Sequence, residues 1–157
     1  MITKKILIFG ASGQVGRYCI RRFVKNNYKV IAVTRNSHKK GYILKTQAPI
    51  GYIDIIEANI FDEQKLKDLI SSVDVCVNLI GILHEKGRIS TFKNIHSVFP
   101  KKLAEICNFF NVKLVHISAL GLENAHDSNY AKSKITGENS IRNILPSATI
   151  IKPSLVY

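Results

Sequence analysis

The chain is predicted to fold as a doubly wound parallel α/β sheet of about six strands. Three observations carry that expectation. Four apolar residues, Ile6-Leu7-Ile8-Phe9, run straight into a turn with glycines at Gly10, Gly13 and Gly16, and an amphipathic segment follows. Short β-branched runs then alternate with helix-like segments along the chain. One of these runs, Val73–Ile80, is apolar almost throughout, the pattern of a strand covered on both faces. Strands alternating with helices imply βαβ units, hence parallel pairing.

Taken in order, residues 4–9 are the first strand, and 13–26 a helix with Val15, Cys19, Ile20, Phe23 and Val24 at helical spacing. Residues 29–34 are a second β-branched run. A basic loop, Arg35 to Lys40, and an irregular stretch through Pro49 come next. Tyr52–Glu57 is the third strand, and 62–71 a short helix with Asp62 as its N-cap. Val73–Ile80 is the fourth strand. Residues 91–110 read as one long helix, kinked or broken at Pro100, whose ring and missing N–H disrupt a helix interior. Val112–Ile117 is the fifth strand, Asn129–Arg142 a helix, and Thr149–Ile151 opens a sixth strand.

At 157 residues the whole chain, 1–157, suits one domain with a sizeable core. No segment reaches the ~18 uninterrupted apolar residues of a membrane span. Thr3-Lys4-Lys5 precedes only a four-residue apolar run, which is not the pattern of a secretory signal. Cys19, Cys76 and Cys107 are odd in number, lie far apart in apolar neighbourhoods and form no C-x-x-C pair. Buried reduced thiols in a cytoplasmic protein are expected. The formal charge of +12 is spread along the chain without an aromatic–basic motif, so it reads as a lysine-rich solvated surface, and no nucleic acid partner is expected. The chain ends at Tyr157, just past the sixth strand. Segments beyond this point usually build half of the ligand crevice, so the carboxyl-terminal substrate part is expected to be missing.

The glycine turn has a chemical meaning. Gly10 permits a tight turn after the strand, Gly13 lets the backbone approach a phosphate closely, and Gly16 allows tight helix packing. Exposed N–H groups and the positive end of the helix dipole then attract a pyrophosphate. This is the form of a dinucleotide site. The second strand ends Val33-Thr34-Arg35 without the acid that would bind an adenosine ribose. Arg35 offers a planar fork suited to a 2′-phosphate, with Lys39 and Lys40 nearby, so NADP(H) is favoured over NAD(H).

A second pattern lies late in the chain. Ser118 ends the fifth strand, and Tyr130-Ala-Lys-Ser-Lys134 follows twelve residues later. Tyr130 and Lys134, at i and i+4, share one helical face. The ammonium is expected to favour phenolate and lower the tyrosine pKa, which suits acid–base work, while Ser118 holds a substrate oxygen. Lys134 can also bind ribose hydroxyls. His116 lies within an apolar strand and reads as a core histidine; no role is assigned to His84, His96 or His116.

With Gly10, Gly13, Gly16, Ser118, Tyr130 and Lys134 assembled, the chain resembles the short-chain dehydrogenase/reductase superfamily of the extended or atypical kind, whose nucleotide-binding part is a Rossmann fold. A narrower likeness rests on Val77-Asn78-Leu-Ile-Gly81-Ile-Leu, Leu114-Val-His-Ile-Ser-Ala-Leu-Gly121, Ser128-Asn-Tyr-Ala-Lys-Ser-Lys134 and Gly137-Glu138. These are similar to the NADPH-binding accessory subunits of respiratory complex I and their bacterial relatives. The resemblance implies bound NADP(H), a peripheral place on the inner face of a membrane beside complex I subunits, and a structural or assembly role. It implies phosphate contacts from Ser12, Gln14 and Val15 as well as the three glycines. The implied adenosine side takes in Asn59, Ile60, Asn78, Leu79, Ile80 and Gly81, with Pro153 and Ser154 on the nicotinamide side. Ala58-Asn59 stands where the family often has Gly-Asp. Two other readings stay open: an active oxidoreductase or nucleotide-sugar epimerase using Ser118, Tyr130 and Lys134, and a non-catalytic remnant domain.

Overall fold

Strand β1, Lys5–Phe9, buries Ile6, Leu7, Ile8 and Phe9 in succession, as a strand covered on both faces must. The computed structural model describes residues 4–125 and 127–154. By its contacts the chain divides into two compact units, Met1–Leu79 and Ile80–Tyr157.

In the first unit β1 pairs in parallel with β2, Lys29–Thr34, placing Leu7 opposite Ile31. On its far side β2 pairs with β3, Ile53–Glu57. The fourth strand, β4 (Val75–Asn78), returns to the other side of β1, with Leu7 opposite Cys76. The order β3-β2-β1-β4 therefore reverses direction between β1 and β4. In doubly wound sheets ligands bind at such a reversal, outside the carboxyl ends of the strands.

Helix α1, Gln14–Lys25, buries Gly16, Ile20 and Val24, and α3, Glu63–Ser71, buries Leu66, Leu69 and Ile70. Asp62 caps α3 as expected, its side chain accepting from the Lys65 N–H at 3.1 Å. Two expectations need correction here. The basic stretch after β2 is not a loop but a helix, α2 (Ser37–Lys45), with Asn36 as its N-cap accepting from Lys39 N at 2.9 Å. Its apolar residues Tyr42, Ile43 and Leu44 are bunched, so no 3.6-residue period marked it. The strand expected over 73–80 is also shorter, although Leu79 N still donates to Phe9 O at 3.0 Å.

In the second unit the helix expected over 91–110 is two pieces. A π-helical segment, Lys93–Val98, runs into α4, Phe99–Phe109. Pro100 sits in the first turn of α4, where a missing N–H costs nothing. Strand β5, Lys113–Ile117, pairs in parallel with β6, Thr149–Ile151, with His116 opposite Ile150. Helix α5, Asn129–Ile144, is capped by Ser128, whose hydroxyl accepts from Ala131 N. The six strands and their intervening helices have the doubly wound parallel α/β class read from the sequence. Among the described residues no helix is long and apolar enough to cross a membrane.

Candidate functional site

The glycine turn has the stereochemistry its sequence demands. Gly10 takes φ 81°, a left-handed conformation that a side chain disfavours. Gly13 N donates back to Gly10 O at 3.1 Å, and Gly13 is the extended N-cap of α1. A Cβ on Gly16 would lie 2.5 Å from the carbonyl oxygens of both Gly10 and Ala11, so this helix can approach the turn only with glycine there. Gly13 and Gln14 are exposed, Ser12 and Val15 half-buried. No acidic residue occupies the first turn of α1, and helix geometry leaves the leading N–H groups without intrahelical acceptors. The result is a positive, uncrowded cradle at the β1 end of the β1/β4 reversal, which suits a diphosphate.

Around it the first unit places the other expected groups. Arg35 is exposed immediately past β2, one residue before the Asn36 cap. Sequence reasoning missed a carboxylate at the start of the helix that follows. Glu57, the last residue of β3, accepts from Ser37 N at 2.7 Å and from Ser37 Oγ at 2.8 Å, and these hydrogen bonds hold its carboxyl below the usual range. A negative charge thus already covers the start of α2. Asn59 uses its Oδ1 to accept from Phe61 N at 3.0 Å, and Ile60 is buried beneath that turn. Leu79 is half-buried just past β4.

In the second unit, Ser118, Tyr130 and Lys134 come from the end of β5 and the first two turns of α5. Ser118 is buried, and its hydroxyl donates to Oε1 of Glu138. Lys152, just past β6, puts its Nζ 2.9 Å from Oε2 of the same carboxylate and 2.9 Å from Oε1 of Glu123. Those hydrogen bonds push the Lys152 ammonium up. Lys134 is buried and donates to the Ile117 carbonyl at 3.2 Å; burial pulls its ammonium down, against the opposing pull of Glu138. Tyr130 is half-buried, and burial pushes its phenol up. That is opposite to the direction expected from a lysine partner, because Lys134 is turned toward a backbone carbonyl and Glu138.

Ile80 is half-buried and Gly81 exposed. A Cβ on Gly81 would lie 3.5 Å from Lys134 Nζ and 3.9 Å from His96 Nε2, so the chain after β4 runs beside the Tyr130/Lys134 face. Pro153 is half-buried, and its carbonyl accepts from Leu120 N at 2.9 Å, fixing the segment after β6 against the one after β5. His116 is a fully buried core residue, and burial pulls it down to about 3. Glu138, quoted only for the family likeness, and His96 are residues to which sequence reasoning gave no role in the site. Glu138 had one available signal, its i+4 spacing from Lys134; His96 had none, because the π-helical segment shifts its facing. Cys76 and Cys107 are buried and outside any disulfide, and Cys19 is half-buried. No metal-holding group of side chains occurs among the described residues.

The model of the NAD dependent epimerase/dehydratase family matches residues 6–157. The mitochondrial NADH-ubiquinone oxidoreductase 40 kDa subunit of Neurospora crassa is 27% identical over 151 residues, covering 96% of this chain and 40% of that protein. Mitochondrial NADH dehydrogenase (ubiquinone) 1 alpha subcomplex subunit 9 of Dictyostelium discoideum is 27% identical over 152 residues, covering 96% of this chain and 42% of its own length. The chain thus spans less than half the length of these relatives. Among solved structures, UDP-glucuronic acid 4-epimerase from Bacillus cereus in complex with NAD superposes with TM-score 0.82 at 20% identity, over 98% of this chain and 57% of that one. That likeness is one of fold.

Proposed function

We propose, since this chain belongs to the NAD dependent epimerase/dehydratase family, that it binds a nicotinamide dinucleotide and serves as a structural or assembly accessory of a respiratory NADH dehydrogenase complex. The observation that carries the binding is the Gly10–Gly16 cradle at the β1/β4 reversal, where a Cβ on Gly16 has no room and α1 presents its N–H groups. In this reading Ser12, Gly13, Gln14 and Val15 hold the diphosphate, with Asn59, Ile60, Leu79, Ile80 and Gly81 on the adenosine side. Lys134 and Pro153 serve the nicotinamide half. A bound dinucleotide would supply hydride chemistry; the chain's own part is to hold and orient it.

The reading extends to NADP(H) over NAD(H), through Arg35 as the partner of a 2′-phosphate. Glu57 works against that preference, since its carboxylate already sits at the start of α2. Binding without turnover is favoured by Ser118, whose hydroxyl is committed to Glu138, and by Tyr130, whose phenol is pushed up by burial. The complex I partner is supported by the names of the two mitochondrial relatives. The formal charge of +12 suits a peripheral place against an acidic partner or an anionic lipid surface.

Calorimetric titration with NADPH and NADH, alongside assays across carbonyl substrates, tests this function. Tight NADPH binding without turnover, together with co-migration with the respiratory complex on native gels, is the expected result. Turnover abolished by Tyr130→Phe with binding intact would replace the accessory role with that of an oxidoreductase. Failure to bind either dinucleotide would overturn the reading.

A further inference from the structure

We propose that His96 is a positioning residue for Tyr130, holding the tyrosine ring and the Gly81–Ile82 backbone in one arrangement as a neutral imidazole protonated on Nδ1. The inference rests on the reading of Tyr130 and Gly81 as parts of the binding site, and it assigns to that site a group that neither sequence pattern contains.

The hydrogen bonds set the tautomer. Ile82 N donates to His96 Nε2 at 3.1 Å, so Nε2 carries a lone pair and the proton lies on Nδ1. Nδ1 is 3.0 Å from Ser133 Oγ, and that hydroxyl in turn donates to the Tyr130 carbonyl at 2.7 Å. The protons therefore run in one direction, from Nδ1–H to Ser133 and from Ser133 to the Tyr130 backbone. Every polar atom in the chain of contacts is satisfied, the condition under which a buried polar group rigidifies its surroundings.

The ring contacts act on the Tyr130 side chain itself. The imidazole meets the phenol ring edge-on, with centroids 5.1 Å apart and planes at 86°. Phe92 stacks on the imidazole at 5.5 Å and 17°, and meets Tyr130 at 5.9 Å and 82°. Tyr130 is thus gripped twice by one residue, at its backbone through Ser133 and at its ring directly. The backbone around His96 is equally constrained. A Cβ on Gly137 would overlap the His96 carbonyl oxygen, so the π-helical segment and α5 are pressed together at this point. His96 is almost fully buried, and a second proton would face the Lys134 ammonium, so burial first and Lys134 second hold it neutral.

Two measurements on the full chain test the assignment. Long-range 1H–15N correlation spectra at about pH 7 should show His96 protonated on Nδ1 and bare on Nε2, distinct from the Nε2–H form that commonly dominates free imidazole. An Nε2–H or doubly protonated ring would overturn the proposal without any variant being made. Tyrosine labelled at Cζ then reports on Tyr130 in His96→Phe, which keeps an aromatic ring and loses both nitrogens, and in His96→Gln, which restores an acceptor for Ile82. His96→Phe should shift the Tyr130 resonance and weaken NADPH binding about tenfold, the scale of one lost hydrogen bond, with partial recovery in His96→Gln. A Tyr130 resonance unmoved in His96→Phe would overturn the positioning role. Should the wild-type chain bind neither dinucleotide, the spectra still decide the role of His96, and only the cofactor reading falls.

Discussion

The hydroxyl of Ser118 donates to the buried carboxylate of Glu138, so the residue just past β5 spends its only O–H proton on α5 rather than on a ligand. Lys152 completes the arrangement from the segment after β6, tying three elements of the second unit through one acid. A serine held this way is first an anchor, and its removal should be felt in stability.

Ser118→Ala is expected to lower unfolding stability by about 1–2 kcal/mol, and Glu138→Ala by about 3 kcal/mol, because the second change strips a buried acceptor from two donors. Urea denaturation of both single variants and the double variant measures this. A double variant as destabilised as the sum of the two singles would mean that the residues do not interact in solution.

Glycine requirements in the two units can be tested independently. Gly16→Ala should abolish dinucleotide binding, since its methyl group would meet the Gly10 and Ala11 carbonyl oxygens at 2.5 Å and push α1 off the turn. Gly137→Ala should destabilise by about 1–3 kcal/mol through overpacking against the His96 backbone, and more if α5 cannot shift. Thermal unfolding and calorimetric binding of each variant are the readouts, and unchanged NADPH affinity in Gly16→Ala would refute the cradle.

Coenzyme choice should respond oppositely to two neighbouring changes. Arg35→Ala is expected to weaken NADPH about tenfold while leaving NADH nearly unchanged, as loss of a charge-assisted contact to one phosphate would. Glu57→Gln should strengthen NADPH binding, because it removes the carboxylate beside the start of α2 while retaining an oxygen acceptor for Ser37. Affinities measured at two salt concentrations check both, since the Arg35 effect should shrink as salt rises.

Acid should weaken the fold through its histidines. Burial, reinforced by Lys134, holds His96 at about 4 and His116 at about 3. In the unfolded chain each titrates near about 6.5, so below that value the unfolded state binds more protons. Their contribution to stability is complete above about pH 6.5 and is lost progressively as pH falls through about 4 and then about 3. The imidazole Cε1–H signals of His96 and His116 should stay unshifted from about pH 7.5 to 5.5, and a midpoint near 6.5 for either would contradict the burial seen here.

Much of this was legible beforehand, for reasons particular residues make plain. Ile6 to Phe9 could only be a strand covered on both faces, and the spacing of Gly10, Gly13 and Gly16 specified the turn that follows. Asp62 announced the start of α3 through a local bond to Lys65. Helix α2 was hidden because its support comes from outside its own sequence: Glu57, twenty residues away, accepts from its first N–H. The π-helical segment was hidden as well. Its sequence has an ordinary helical pattern, and the close approach of Gly137 of α5 to the His96 carbonyl within it is a contact between residues far apart in the chain.

By itself, the sequence determined the α/β class, the succession of the strands and the glycine turn after β1, and it singled out Ser118, Tyr130 and Lys134, because each depends on neighbours a few residues apart. Only tertiary structure decided what those side chains are bonded to: Ser118 to Glu138, Lys134 to the Ile117 carbonyl, Tyr130 against His96. Burial and charge at a site come from partners distant in the chain, and local periodicity carries no record of them.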